Sequence, residues 1–264
     1  MLRNKLALVT GAQQGIGEAI ALGLAKSGAN VIVHYFDDER RAEDVARRIQ
    51  ALGVSAFLVQ GDFNRTDDVY KVIEQCNAFG DIDILINNAA LVSYKPLFES
   101  SDDLWDAVMR INVKAPFVLT REFSQRWAQK GIKGSIVNIT SISANLGTMY
   151  QAHYCAAKGA ILQLTRETAV ELGRHGIRVN AVAPGIIRTD ANEKLLSHPV
   201  LGKAYDSVVP LGSVGSPADL EECVAFLCSE GARYISGQQI VVDGGWSAHA
   251  GEPIFDQNTI QRTN

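Results

Sequence analysis

"LALVTGAQQGIGEAIALGLAKSG", residues 6–28, decides the fold. Leu6 to Val9 is a short apolar run of strand type. It leads directly into a turn containing Gly11, Gly15 and Gly17, and from there into residues with helical periodicity. Glycines allow a tight turn and let a bound group come close to the backbone. The uncommitted N–H groups at the start of the following helix attract a pyrophosphate. The spacing, G-x-x-x-G-x-G, differs from the commoner G-x-G-x-x-G of dinucleotide sites, so the turn alone is a moderate signal.

Working outward, further β-branched runs occur at 30–35, 55–60, 83–87, 135–140, 177–182 and 239–243, separated by longer stretches of helical period. Strand and helix in alternation predict an α/β fold: a single-domain, doubly wound, Rossmann-like parallel sheet of about seven strands with helices on both faces. In such sheets chemistry collects beyond the carboxyl ends of the strands.

The second run ends in "HYFDDERR", residues 34–41, which puts Asp37 twenty positions beyond Gly17. An acid there can bond the adenine-side ribose hydroxyls; equally, Asp37, Asp38 and Glu39 can complement the positive end of the next helix. Positions 13, 14 and 34–39 hold no lysine or arginine for a 2′-phosphate, so NAD is favoured. Arg40 and Arg41 follow at once and keep NADP possible.

"HYCAAKGA", residues 153–160, sets Tyr154 and Lys158 four positions apart, hence on one face of a helix one turn from each other. A phenol has a pKa near 10, so exchanging protons at neutral pH requires nearby positive charge to support its anion. Ser141 falls at the end of the fifth run, within reach of the same crevice. Pro116 stands four residues after Asn112 and has no N–H to return, which leaves the Asn112 carbonyl free to anchor a relay water or the Lys158 nitrogen. His153 points about 100° away from Tyr154 and reads as structural.

The chain has 264 residues, 47% of them hydrophobic, with 25 basic against 29 acidic side chains and a net charge of −4. No basic stripe suits a phosphate backbone, so nucleic acid is not expected as a partner. No apolar run is long enough for a membrane span or a signal-peptide core, and a cytoplasmic protein is expected. Cys76, Cys155, Cys223 and Cys228 form no CxxC pair and read as small buried hydrophobes, and the five histidines lack metal-ligand spacing, so no metal is expected.

With these motifs in order, the sequence resembles the short-chain dehydrogenase/reductase family over nearly its whole length, from Thr10 to about Gly245. The resemblance adds Gly61–Asp62, "NNAA" at 87–90, Ile111–Asn112, "PGIIRT" at 184–189 and "VDGG" at 242–245. It implies that Tyr154 is the general acid/base, that Ser141 bonds the reacting oxygen, that Lys158 holds the nicotinamide ribose and acidifies the phenol, and that Asn112 positions a relay water. It also implies a cofactor surface made of Gly11, Gln14, Gly15, Ile16, Gly17, Tyr35, Phe36, Asp37, Asp62, Phe63, Asn88, Ala89, Ala90, Pro184, Gly185, Ile187 and Thr189, together with Tyr154 and Lys158. Ala90 departs from the family's usual glycine and is expected to crowd the chain slightly.

Ser141, Ser143 and Tyr154 are the candidate substrate contacts, with 91–96, 143–153 and a substrate lid at about 189–210 bordering the pocket; the last could equally be an ordinary connection. The four-residue Tyr–Lys step favours alcohol/ketone chemistry over enoyl reduction. The expected substrate is a small molecule: a sugar, sugar acid or polyol. An oxoacyl or steroid ketone is the enzymatic alternative, and a non-catalytic cofactor-binding sensor or scaffold the alternative of another class. The family also implies a homotetramer, partly through the helix of Tyr154, whose Ile161, Leu164 and Ala169 are expected to face outward. The tail from 248 either reaches a neighbouring subunit or frays.

Overall fold

The structure is a computed structural model that describes residues 1–249. The tail from 250 onward, and with it the question of where the carboxyl terminus goes, lies outside the described residues.

All seven expected strands form, within two residues of their sequence bounds. They are β1 (Leu6–Val9), β2 (Asn30–Tyr35), β3 (Ala56–Gln60), β4 (Ile84–Asn87), β5 (Ser135–Ile139), β6 (Arg178–Pro184) and β7 (Gln239–Val242). They make one sheet in the order β3-β2-β1-β4-β5-β6-β7. Every pairing is parallel. Strand order reverses between β1 and β4, which opens a crevice at the carboxyl edge there.

Side chains alternate along each strand, so the sheet supplies two cores. Ala7, Val9, Val31, Val33, Ile84 and Ile86 face α1 (Gly15–Lys26), α2 (Glu39–Gln50) and, further along the chain, the segment 221–228. Leu6, Leu8, Ile32, Leu85 and Ile136 face α3 (Thr66–Asn77) and the segment 115–130. Because both faces are covered, β1 and β4 are buried at every position, which is why they read as unbroken apolar runs.

Between β4 and β5 lie α4 (Asp102–Met109) and α5 (Ala115–Lys130), joined by a π-helical turn over Arg110–Lys114. Pro116, on the first turn of α5, has no N–H to give Asn112, and the helix is wound wider immediately before it. Helix α6 (Ala152–Leu172) carries "HYCAAK". Ile161 and Ala169 on this helix do not face outward as expected. Both are buried within the chain, Ala169 in the core beneath the sheet, and the helix presents Val170 to solvent instead, 84% exposed. The segment after β6 contains α7 (Glu193–Leu196) and α8 (Leu201–Ser207), and α9 (Glu221–Cys228) completes the first core.

Candidate active site

A cleft of about 610 Å³ opens at the carboxyl edge across the switch point. Its floor is the glycine turn. Gly11 and Gly15 have φ of +62° and +61°, the left-handed region that favours glycine. At Gly17 a β-carbon would come within 2.2 Å of the Gly11 oxygen and 2.5 Å of the Asn88 amide nitrogen, so the turn closes only over a bare α-carbon. Thr10 braces it: its hydroxyl donates to Ile86 O at 3.1 Å and accepts from Asn88 N and Ala89 N at 2.9 and 3.0 Å. Asn88 returns its amide to Thr10 O at 2.8 Å and Gly11 O at 3.1 Å. The first amides of α1 have no side-chain cap from Gln14. An uncapped helix start behind a turn without β-carbons fits the diphosphate of a dinucleotide.

Gly11, Gln14, Gly15, Ile16, Gly17, Phe36, Asp37, Asp62, Phe63, Asn88, Ala89, Ala90 and Thr189 all line this cleft. Ala90 is exposed and is outside the left-handed backbone region that would favour the family's glycine. Tyr35, Pro184, Gly185 and Ile187 are outside the lining. Tyr35 packs on the first core with its phenol bonded to Glu39. Pro184 is paired with Val242 in the sheet. Gly185 is a glycine because a β-carbon would meet that of Asp243 at 2.7 Å, and Ile187 is buried in the first core. Proximity in sequence to the strand end did not place these four at the surface of the cleft.

The cleft also uses residues that the motifs did not mark. Gln13 is buried; it donates to Asp37 Oδ1 at 3.0 Å and accepts from Phe36 N at 2.7 Å, tying the glycine turn to the end of β2. His34 and Asn64 line it too, as does Ile111 of the Ile111–Asn112 motif. The signal available was position, since His34 shares a strand face with Ile32 at the carboxyl end of a central strand.

Ser141, Tyr154 and Lys158 stand one strand over, at the end of β5, which pairs with β4. Ser141 begins a short 3₁₀ turn, its hydroxyl accepting from Ser143 N at 3.1 Å, and it also hydrogen-bonds the Tyr154 phenol. Lys158, 4% exposed, has its nitrogen 5.5 Å from the centre of the Tyr154 ring. That nitrogen donates to Ile139 O at 2.7 Å, the last carbonyl of β5, so of the two groups expected on the Asn112 carbonyl, a relay water or the lysine nitrogen, the lysine goes elsewhere. The Asn112 side chain clamps Leu91, accepting from Leu91 N at 2.7 Å and donating to Leu91 O at 3.0 Å. Burial pushes the Tyr154 phenol above its ordinary range, and the Ser141 hydrogen bond opposes that rise. Burial also pulls the Lys158 ammonium down to about 8.

The Ser143 hydroxyl is engaged by Thr148 at 2.8 Å. His153 is structural, fully buried with Nε2 on Ser93 O at 3.1 Å. Lys95 N donates to Tyr150 O at 2.8 Å and so joins two of the expected pocket walls; Tyr150 itself has φ +64°. Tyr94 lies near Tyr154, is bonded by Gln151, and has Tyr205 of α8 beside it. Cys76 and Cys228 are buried, with thiols pushed up to about 12 by burial, whereas Cys155 and Cys223 are only half-buried. Among the described residues no group of acids, cysteines and histidines is arranged to hold a metal, and no helix is long and apolar enough to cross a membrane.

A family profile described as Enoyl-(Acyl carrier protein) reductase matches residues 11–247. The chain belongs to the short-chain dehydrogenase/reductase family. It is thus a nicotinamide-dependent oxidoreductase acting at an alcohol or keto carbon. It is 35% identical to L-rhamnose 1-dehydrogenase (NAD(P)(+)) of Sphingomonas sp. strain SKA58, over 93% of this chain and 97% of that one. It is 39% identical to a 3-oxoacyl-(acyl-carrier-protein) reductase of Staphylococcus epidermidis, over 92% and 98%. Among solved structures, a gluconate 5-dehydrogenase from Burkholderia cenocepacia J2315, in complex with NADP and tartrate, superimposes with a TM-score of 0.88 at 32% identity, covering 94% of this chain and 97% of that one.

Proposed function

We propose that this short-chain dehydrogenase/reductase interconverts a secondary alcohol and its ketone on a sugar, sugar acid or polyol. The observation that carries the reading is the Ser141–Tyr154 hydrogen bond with the Lys158 ammonium beside the same ring, next to the cleft. A bound nicotinamide supplies the hydride acceptor or donor. Tyr154 removes the hydroxyl proton during oxidation and returns it during reduction. Ser141 donates to the substrate oxygen, where negative charge develops as the carbonyl is reduced. Lys158, with its nitrogen 5.5 Å from the ring centre, is assigned the positive charge that supports the phenolate and the hold on the nicotinamide ribose. Asn112 acts by fixing Leu91 at the wall of the cleft.

The pocket mouth supports a polyhydroxylated substrate. Tyr94 lies near Tyr154 and is itself bonded by Gln151 with Tyr205 beside it, a set of neutral hydrogen-bonding groups, and Tyr205 is set edge-on to Trp246 at 6.5 Å. The segment 189–210 is read as the lid over them. Relatives named for rhamnose and gluconate agree with this choice. The oxoacyl reading keeps a specific support in the Staphylococcus relative at 39% identity.

NAD is proposed as the preferred cofactor, with NADP also accepted. Asp37 lines the cleft where the adenine ribose would lie. Arg41 reaches the same end, but its guanidinium is already neutralised by Asp38 at 3.4 Å and Asp190 at 3.0 Å. Pairs of half-exposed charges are weak, so a 2′-phosphate can compete for that arginine. A homotetramer is proposed from the family resemblance, and the exposed apolar side chains Val170, Phe226, Tyr234, Ile240 and Val241 support it. A cytoplasmic setting suits the four unpaired cysteines.

Nicotinamide absorbance followed with a panel of sugars, sugar acids, polyols, oxoacyl thioesters and steroid ketones tests the reading. Turnover on a polyhydroxylated compound supports it. Turnover confined to oxoacyl or steroid ketones replaces the substrate class, and cofactor binding without turnover on any member of the panel makes the protein a sensor.

A further inference from the structure

We infer that His34 is a positioning residue that fastens two walls of the cofactor cleft together, and that it does so only as a neutral imidazole protonated on Nε2. The inference rests on the cleft being a dinucleotide site.

His34 is the penultimate residue of β2, 2% exposed and part of the cleft lining. Its Nδ1 is 3.0 Å from Gly11 N and its Nε2 is 3.1 Å from Gly61 O. A backbone N–H can only donate and a carbonyl can only accept, so Nδ1 must be the bare nitrogen and Nε2 must carry the proton. The ring also stacks on Phe63, with centroids 4.2 Å apart and planes at 18°. Backbone bonds continue the same seam: Ala12 N donates to His34 O at 2.9 Å, and Gly61 N to Tyr35 O at 3.1 Å. One side chain thereby ties the exits of three adjacent strands, β1, β2 and β3. What it ties are the glycine turn and the Gly61–Asp62–Phe63 wall. Gly11 sits in the left-handed region, where glycine is loosely constrained, so an external bond to its amide is what selects the orientation of the turn.

An imidazolium would set a second N–H against the Gly11 N–H and break the clasp. Burial holds the ring down to about 4. Among the described residues, the ionisable groups nearest in the cleft are already committed. Asp37, beyond β2, is bonded by Gln13, and Asp62, beyond β3, accepts from Asn64 N at 2.9 Å. The glycine turn itself, residues 11–17, contains no ionisable side chain. Neither acid bonds the imidazole, whose two nitrogens are filled by backbone groups.

The test is direct titration with NADH and NADPH, followed by the fluorescence of the bound reduced cofactor, on wild type, His34→Phe, His34→Asn and His34→Gln. His34→Phe keeps the stacking but leaves an amide and a carbonyl unpaired, and is expected to weaken binding of the preferred cofactor about ten-fold or more. The loss should fall on cofactor KM much more than on kcat. Asparagine places an amide near the Nδ1 position and glutamine near the Nε2 position, so each is expected to recover part of the affinity. Imidazole ¹⁵N spectra of the wild type should show the Nε2-protonated neutral tautomer at pH 6, and this measurement decides if His34→Phe does not fold. Wild-type affinity in His34→Phe, or a charged or Nδ1-protonated ring at pH 6, overturns the inference. Failure of the wild type to bind either dinucleotide overturns the cleft assignment beneath it.

Discussion

At the scale of single residues, the site is governed by two buried groups pulled in opposite senses by loss of water. Tyr154 is pushed up and Lys158 down to about 8, so in the ligand-free protein the phenol keeps its proton at neutral pH and the amine is mostly charged. Oxidation needs the phenolate and should therefore accelerate as pH rises from 7, then level or fall where Lys158 loses its charge. Reduction needs the phenol and should hold up at lower pH. Initial rates in both directions from pH 6 to 10 check this, and identical profiles for the two directions would contradict it. Arg41 gives a second expectation: Arg41→Ala should lower kcat/KM with NADP several-fold more than with NAD, because only the phosphorylated cofactor uses the guanidinium. His34 gives a third, on stability. Its pKa is near 6.5 unfolded and about 4 folded, so its contribution is complete above about 6.5 and is lost as pH falls toward 4. The full difference is about 3 kcal/mol by the usual conversion of pKa shift to free energy. Urea titrations at pH 7.5 and pH 4.5 should show a pH-dependent loss that is smaller in His34→Asn.

At the scale of elements, the strands were readable because burial on both faces forces β-branched, apolar runs, and the glycine turn because only glycine fits it. Tyr154 and Lys158 were readable because helical geometry alone puts them on one face. The misplacements also have physical causes. On α6 the small residues near Tyr154 concealed which side packs on the sheet, so Ile161 and Ala169 were assigned outward although the chain buries them itself. Of the two groups expected on the Asn112 carbonyl, a relay water or the Lys158 nitrogen, the lysine is taken by the carbonyl that closes β5, at 2.7 Å. Tyr35, Pro184, Gly185 and Ile187, at or just beyond strand ends, also serve sheet and core and lie outside the lining of the cleft, so their expected cofactor contacts stay a proposal. Gly17 provides the sharpest test at this level. Gly17→Ala forces a β-carbon against the Gly11 oxygen and the Asn88 amide, and should abolish detectable dinucleotide binding while circular dichroism still reports a folded α/β protein. Normal binding by that variant would show that the turn is not the diphosphate cradle.

At the scale of the whole molecule, the parallel sheet brings the exits of β1, β2, β3 and β4 together around the cleft and sets Ser141, at the exit of β5, beside it. Val170, Phe226 and Tyr234, together with the half-exposed strand β7, leave apolar surface that an isolated chain would present to water. Light scattering should therefore return the mass of four chains, and a monodisperse monomer would contradict the tetramer. The central claim, that the phenol of Tyr154 moves the proton while the rest of the cleft holds the cofactor, is tested most directly by Tyr154→Phe. Reduced-cofactor binding and single-turnover hydride transfer would be measured on the same preparation. The account predicts cofactor affinity within a few-fold of wild type and transfer slower by about a thousand-fold or more; transfer at a rate comparable to wild type would contradict it.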